Sequence, residues 1–236
     1  MSIQLDKVQP KNRIQLEQLI DYAFKRKQYD LNFIDTSKIT DMSWLFENVK
    51  HNFDISSWDV SNVTSASSMF YFCANFNCDL SGWDVSNVTN TKFMFACCEK
   101  FNCDLSNWNV SNVTNMSYMF SNCYKLEGKG LEHWDVSNVE NTSYMFYNCK
   151  NFDSDLSNWD VSNVTDMTSM FAFCNKFDCD LSNWDVSNVT CMYFMFGHCK
   201  QFNCDLSHWN VSKAKDMKDM FTCCNRLTIP DWYKNI

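Results

Sequence analysis

One seven-residue phrase dominates this sequence. WDVSNVT occurs four times and returns three more times in altered form, at residues 58–64, 83–89, 108–114, 134–140, 159–165, 184–190 and 209–215. The tryptophans that open the phrase are spaced by 25, 25, 26, 25, 25 and 25 residues, and a series of Met-Phe pairs keeps the same period. A fixed period of about 20–30 residues is typical of solenoids, in which each unit buries its apolar side against its neighbours.

Each repeat combines two kinds of local pattern. Apolar residues between Val63 and Phe76 are spaced mostly by three and four, which predicts a short helical or 3₁₀ segment. The following FNCDLSGW reads as extended chain, with Leu80 pointing inward. One extended and one helical side per unit predict a leucine-rich-repeat-like, right-handed coil with short parallel strands. About eight such units occupy residues 31–225.

The two ends depart from the period and are predicted to be caps within one structural domain. An amphipathic helix is expected at residues 11–27, inside an N-terminal cap of residues 1–30. Its apolar stripe comprises Ile14, Leu16, Leu19, Ile20, Ala23 and Phe24. Residues 226–236, with Trp232, are predicted to seal the other end.

The chain has 14 cysteines, and half of them keep the repeat period. This column lies three residues after each Met-Phe pair and comprises Cys73, Cys98, Cys123, Cys149, Cys174, Cys199 and Cys224. A position filled once per repeat favours reduced, buried thiols over a disulfide framework. Cys78, Cys103, Cys179 and Cys204 form a second column. Disulfides, a zinc site and a redox role remain open as lesser alternatives.

Asn and Asp also recur in columns, as at Asn62 and Asn87 or Asp54 and Asp79. Such side chains satisfy nearby backbone groups at bends, and this structural role is the favoured interpretation. Calcium held between stacked carboxylates is the alternative, although the glycines that would let backbone approach the ion are scarce. No metal and no cofactor are predicted.

Composition argues against several classes of partner. The net charge of −8, with bases crowded at Lys25, Arg26 and Lys27, argues against nucleic acid and anionic membranes. No apolar run is long enough to span a bilayer, and no secretory signal is visible. A cytoplasmic location is expected if Met1 is the native start. Cell-surface display or unconventional secretion is the alternative.

The repeats resemble a known family. FNCDLSNWNVSNVTNMSYMFSNC, beginning at Phe101, and the lead-in LNFIDTSKITDMSWLF, beginning at Leu31, are similar to the BspA-like leucine-rich-repeat family. The similarity is to its subgroup of bacterial surface and lipoprotein repeats of unknown function, and it covers roughly residues 31–225. The resemblance implies a leucine-rich-repeat-type solenoid and adhesion or protein recognition, with no catalytic residues. The missing signal sequence departs from the surface members.

No catalytic motif is found, so the chain is not expected to be an enzyme. Aromatic residues occupy positions that vary around the Met-Phe pairs, and they are predicted to be exposed and to bind a partner: Tyr71, Phe93, Tyr118, Tyr144, Tyr147 and Phe194. The predicted function is a rigid protein–protein interaction module with an unidentified protein partner, acting as a monomer or weak homo-oligomer. A self-assembling structural role and a metal-binding or redox-sensing role are the alternatives.

Overall fold

The computed structural model describes residues 7–234, so residues 1–6 and 235–236 of the two predicted caps lie outside the described part. We number the units by their apolar-Phe pairs, from Leu45-Phe46 (unit 1) to Met220-Phe221 (unit 8). Isolated parallel bridges link each unit to the next, through Asp41, Ser65, Asn90, Asn115, Asn141, Asp166, Cys191 and Asp216. The units are therefore stacked in parallel, in register with the sequence repeat.

One side of each unit, which we call the turn side, is a run of consecutive β-turns (residues 91–98 in unit 3). Its amides alternate between two kinds of acceptor. Phe93 N donates to Ser117 O of unit 4 at 3.0 Å, whereas Met94 N donates back to Thr91 O at 2.9 Å. The predicted helical or 3₁₀ segment is therefore wrong. Every second amide bonds to the neighbouring unit, which prevents the continuous internal ladder of a helix.

The turns impose an unusual backbone conformation. Phe93 and Cys97 have φ of 57° and 62°, and the equivalent residues of the other units are also positive. Phe93 is the third residue of the turn 91–94 and Cys97 is the third residue of the turn 95–98, the position at which type II turns require positive φ. Non-glycine residues seldom adopt this region because Cβ crowds the backbone. In each unit, two residues other than glycine are thus held at positive φ by backbone hydrogen bonds between adjacent units.

The opposite side, which we call the phrase side, carries the repeated FNCDLSxWDVSNVT stretch. Here side chains bond the backbone of neighbouring units: Trp108 Nε1 donates to Leu80 O at 3.0 Å, and Asn112 Nδ2 donates to Ser86 O at 2.7 Å. The same tryptophan bond recurs at Trp58, Trp83, Trp134, Trp159, Trp184 and Trp209. The phrase is thus a set of hydrogen-bonding groups, and the described residues contain no strand beyond isolated bridges.

The one α-helix found in residues 7–234, α1 (Arg13–Lys25), lies against unit 1. The Asn12 side chain caps it by accepting from Gln15 N. Leu16, Ile20 and Ala23 are buried, whereas Ile14, assigned to the apolar stripe from sequence, is 66% exposed. Arg13 donates to the carbonyls of Asp41 and Ser43, so a guanidinium occupies acceptors that the amides of a preceding unit would otherwise take.

The irregular fourth unit accommodates its extra residue without losing register. A 3₁₀ helix, η1 (Leu131–His133), follows Gly130, whose φ is 91°. A Cβ there would lie 2.2 Å from Ser106 N, so only glycine fits. Leu131 is fully buried and accepts the indole N–H of Trp159 at 2.8 Å. The insertion is therefore absorbed on the phrase side.

The C-terminal segment continues the tryptophan column. Trp232 Nε1 donates to Leu206 O at 2.8 Å, the position that a phrase tryptophan would take in a further unit. The Tyr233 ring packs edge-on against Phe221, with centroids 4.9 Å apart. These contacts cover the core at unit 8. The handedness and the leucine-rich-repeat class predicted from sequence stay predictions.

Candidate interaction surface

Aromatic side chains on the turn side form a continuous row, which we call the aromatic ribbon. Phe93 stacks on Tyr118 at a centroid distance of 4.4 Å, and Tyr118 stacks on Tyr144 at 4.5 Å. Further ring contacts of 4.6–5.8 Å extend the row in both directions. The ribbon comprises Trp44, Tyr71, Phe72, Phe93, Tyr118, Tyr144, Tyr147, Phe173 and Phe194. It spans units 1 to 7.

All six aromatic residues selected from sequence belong to this ribbon, yet none of them is fully exposed. Tyr71, Phe93, Tyr118, Tyr144, Tyr147 and Phe194 are half-buried. Their exposure was overestimated because rings of successive units cover one another's faces. The most exposed ribbon residues are Trp44 at 50% and Phe72 at 44%. Trp44 was missed, although it immediately precedes the Leu45-Phe46 pair, as Phe93 precedes its own pair.

Small residues lie under three of the ribbon rings. Phe194 lies over Gly197, where an added Cβ would come within 2.4–2.6 Å of three ring carbons. The equivalent positions below Phe93 and Tyr118 are Ala96 and Ser121. Where the ring itself is replaced by serine, as at Ser68 and Ser169, that serine is buried. Units 1 to 7 therefore differ in whether this position carries an aromatic ring or a serine, while the backbone conformation stays the same.

The phenols of Tyr71 and Tyr118 are neutral at physiological pH. Burial raises the pKa of Tyr71 and of Tyr118 above the usual value near 10. A neutral phenol can both donate and accept a hydrogen bond. Lys92 Nζ lies 5.5 Å from the centroid of Phe93, within cation–π range. The ribbon thus offers apolar edges, hydroxyl groups and a nearby cation.

The periodic cysteines form hydrogen bonds in the core. Cys123 Sγ donates to Phe95 O of the preceding unit at 3.1 Å, and all seven members of the first column make the same bond at 2.8–3.1 Å. All 14 cysteines are free, which agrees with the predicted reduced thiols. Burial raises the pKa of Cys73 to about 12, and it also raises the pKa of Cys123. A protonated thiol is a poor nucleophile.

In three members of the second column, Cys78, Cys179 and Cys204, the sulfur accepts a hydrogen bond from a backbone amide, whereas Cys103 Sγ donates to Cys78 O. Leu156 N donates to Cys179 Sγ, and Leu181 N donates to Cys204 Sγ, both at 3.1 Å. Burial raises the pKa of Cys179 to about 12. The cysteines outside the columns are Cys97 and Cys191, both half-buried, and Cys223, which is exposed.

The carboxylates bond to nearby backbone, as predicted. Asp79 Oδ1 accepts from Ser81 N at 2.9 Å, and Asp84 Oδ1 accepts from Ser86 N at 3.0 Å. Residues 7–234 contain no group of three or more His, Cys, Asp or Glu side chains placed to hold a metal ion.

An enclosed core space lined by residues such as Trp83 and Val88 measures about 10 Å³, room for little more than water. No helix within the described chain is long and apolar enough to cross a bilayer.

Comparison with curated proteins and with solved structures finds no match. One family model matches twice in tandem, at residues 15–130 and 120–232, and is described as a Mycoplasma protein of unknown function, DUF285. The two matches cover most of the chain and include most of α1, the turn side and the phrase side. That family is related to the BspA-like repeats. The chain belongs to the DUF285 family.

Proposed function

We propose that this chain is a non-enzymatic protein-binding module, built as a capped solenoid of the BspA-like, leucine-rich-repeat type. The observation that carries the proposal is the aromatic ribbon, whose rings are in contact from Trp44 to Phe194. Stacked units repeat at about 4.8 Å, so a ribbon of seven units is about 30 Å long. An extended segment of about nine residues has that length.

The ribbon has the physical properties of a binding surface. Half-buried aromatic rings such as Tyr118 and Tyr144 are already fixed by their neighbours, so little side-chain entropy is lost on association. Tyrosine and tryptophan are enriched among the residues that dominate binding energy at interfaces. Backbone bonds to the adjacent unit fix the positions of the rings. The surface is therefore rigid before a partner binds.

Self-assembly by addition of units is less well supported. At unit 1 Arg13 already occupies the carbonyls of Asp41 and Ser43. At unit 8 the amides of Met217 and Asp219 have no acceptor within residues 7–234. Two such amide edges cannot pair with each other, because both offer donors. End-to-end stacking of copies is therefore not favoured, which leaves the aromatic ribbon as the other candidate surface for a complex between copies.

Peptide display tests the proposal. A library of random 15-residue peptides is selected on the wild-type chain, and bound peptides are measured by fluorescence anisotropy against the double variant Tyr118→Ser/Tyr144→Ser. Serine occupies the same turn position in units 2 and 6, at Ser68 and Ser169, so this variant is expected to fold. The selected peptides should bind the double variant at least about ten-fold more weakly.

The matched control is the phrase-side variant Asn158→Ala/Asn183→Ala, which alters two exposed side chains away from the ribbon. It should bind the selected peptides as the wild type does. The proposal is wrong if selection yields no binders. It is also wrong if binders lose affinity on the phrase-side variant and keep it on the ribbon variant.

A further inference from the structure

A row of basic residues lies at the bend that follows the first cysteine column, where Lys150 and Lys176 come three residues after the ribbon residues Tyr147 and Phe173. One Lys or Arg occurs in each of units 3 to 8, and we call this row the basic stripe. All six side chains are exposed. Among residues 7–234 none of them forms an ion pair. The stripe comprises Lys100, Lys125, Lys150, Lys176, Lys200 and Arg226.

Backbone and side-chain contacts keep the stripe in register with the stack. Lys100 N donates to Ala74 O, and Lys125 N donates to Glu99 O, each at 3.2 Å. Lys150 Nζ lies 4.8 Å from the ring centroid of Tyr124 in the preceding unit. Successive bases are thus carried by neighbouring units, at about one charge per 5 Å of stack. Glu99 is the one acid at these two positions in units 3 to 8.

This row is unexpected in a chain with a net charge of −8. The sequence expectation placed the bases at Lys25, Arg26 and Lys27, because the repeat bases are 24 to 26 residues apart and look isolated. Folding brings them into one line, while the aspartates of the repeated phrase, such as Asp79 and Asp84, lie on the phrase side. Like charges at this spacing repel one another. Binding of a negatively charged partner would therefore reduce the repulsion among these unpaired bases.

We propose that the partner of the aromatic ribbon is an acidic, extended polypeptide segment whose carboxylates lie along the basic stripe. This proposal rests on the proposed function and names the chemistry of its partner. Side chains on one face of an extended segment recur at about 6.6 Å, so four carboxylates on one face span about 20 Å, within the roughly 24 Å length of the stripe. The apolar side chains of the same segment would contact ring edges of the ribbon.

The ribbon favours a polypeptide over single-stranded nucleic acid. Nucleic-acid binding by such surfaces requires free ring faces on which bases stack. In the centre of the ribbon these faces are occupied, since Phe93, Tyr118 and Tyr144 stack on one another with interplanar angles of 19° and 7°. Ring edges and phenol hydroxyls remain available. They suit peptide side chains better than bases.

Binding of defined probes tests this inference. Three fluorescein-labelled probes are titrated into the full chain at about 50 mM and 300 mM salt: a 15-residue peptide alternating Glu and Phe, its Lys-Phe counterpart, and an oligothymidylate of equal negative charge. The Glu-Phe peptide should bind most tightly, and its affinity should fall with salt because screening weakens surface charge pairs. Failure of the Glu-Phe peptide to bind, or tighter binding of the oligothymidylate, would overturn the inference.

Charge reversal locates the site. Lys100→Glu/Lys125→Glu/Lys150→Glu should weaken the Glu-Phe peptide about ten-fold or more. The control Lys11→Glu/Arg26→Glu/Lys38→Glu makes the same change in net charge at exposed residues away from the stripe, and should weaken it less than about three-fold. Equal losses would mean that net charge alone acts, which contradicts a site on the stripe. If display-selected peptides lose affinity for the ribbon variant but bind the stripe variant as tightly as the wild type, the proposed function would stand and this inference would be wrong.

Discussion

The phrase side and the turn side of each unit differ in what completes their hydrogen bonds. On the phrase side the bonds to the neighbouring unit come mainly from side chains, such as the indole of Trp108 and the amide of Asn112. On the turn side they run from backbone to backbone, as from Phe93 N to Ser117 O. A side chain that is itself the hydrogen-bond partner has few substitutes. The phrase repeats for that reason, and the turn side is free to vary.

This difference separates stability from recognition. One turn-side position carries Trp44, Ser68, Phe93, Tyr118 and Asp219 in different units, all with positive φ and all in the same backbone frame. On the phrase side, by contrast, the first position of the phrase is tryptophan in every unit from Trp58 to Trp209. On the phrase side the identity of the side chains is thus needed for stacking. On the turn side, where the backbone makes the stacking bonds, the side chains are free to vary and to bind a partner.

The largest effect is expected in the core between the two sides, at Cys123. The substitution Cys123→Asp places a carboxylate in a fully buried position and should lower the free energy of unfolding by about 3–5 kcal/mol. Cys123→Ser retains a donor for Phe95 O and should cost much less. Urea denaturation followed by tryptophan fluorescence measures both. Equal stability of the Asp variant and the wild type would show that the column is not core.

One substitution made on each side tests the comparison directly. Trp134→Phe removes the indole N–H that bonds Leu105 O at 3.2 Å and leaves a small cavity, so it should cost about 2–3 kcal/mol. Trp44→Phe, at a half-exposed ribbon position, should cost about 0.5 kcal/mol or less. Thermal and urea unfolding of the two variants give the numbers. Similar losses would contradict the division between the sides.

Much of this organisation could be predicted from sequence because it is periodic. The unit length, the buried thiols and the local role of Asp79 all follow from residue types recurring at one spacing. The turn side was misassigned as helical because turns bonded alternately within and between units share the three-to-four spacing of a helix. The basic stripe was missed because Lys100, Lys125 and Lys150 are distant in sequence and become neighbours through stacking. Trp44 was overlooked because unit 1 has Leu45 in place of methionine.

Acid should weaken the phrase side through its carboxylates. Bonds from Ser137 hold the pKa of Asp135 below its usual value near 3.8, and Asp84 and Asp185 are lowered by the equivalent serines. A pKa lower in the folded state means that the unfolded chain binds more protons, so stability is lost as pH falls below about 4. Thermal midpoints between pH 3 and 6 should show this decrease.

The variant Asp84→Asn/Asp135→Asn/Asp185→Asn should show a shallower decrease over the same range, since Asn keeps the acceptor but does not titrate. Asn109 already fills this role, accepting from Ser111 N at 3.1 Å. An unchanged pH dependence in the triple variant would mean that other carboxylates govern acid stability.

The smallest effect is expected at the exposed end of the turn side. Cys223 has φ of 60°, a conformation that asparagine tolerates, and asparagine fills the same position at Asn48, Asn122 and Asn148. Cys223→Asn should therefore change the free energy of unfolding by less than about 0.5 kcal/mol. It should also abolish the fastest reaction with iodoacetamide, because the other described thiols are buried or half-buried. Mass spectrometry of the native chain during alkylation would follow this reaction. A fast-reacting thiol that persists in the variant would show that a second cysteine, either half-buried Cys97 or Cys191 or a column cysteine, is as accessible to the reagent as Cys223.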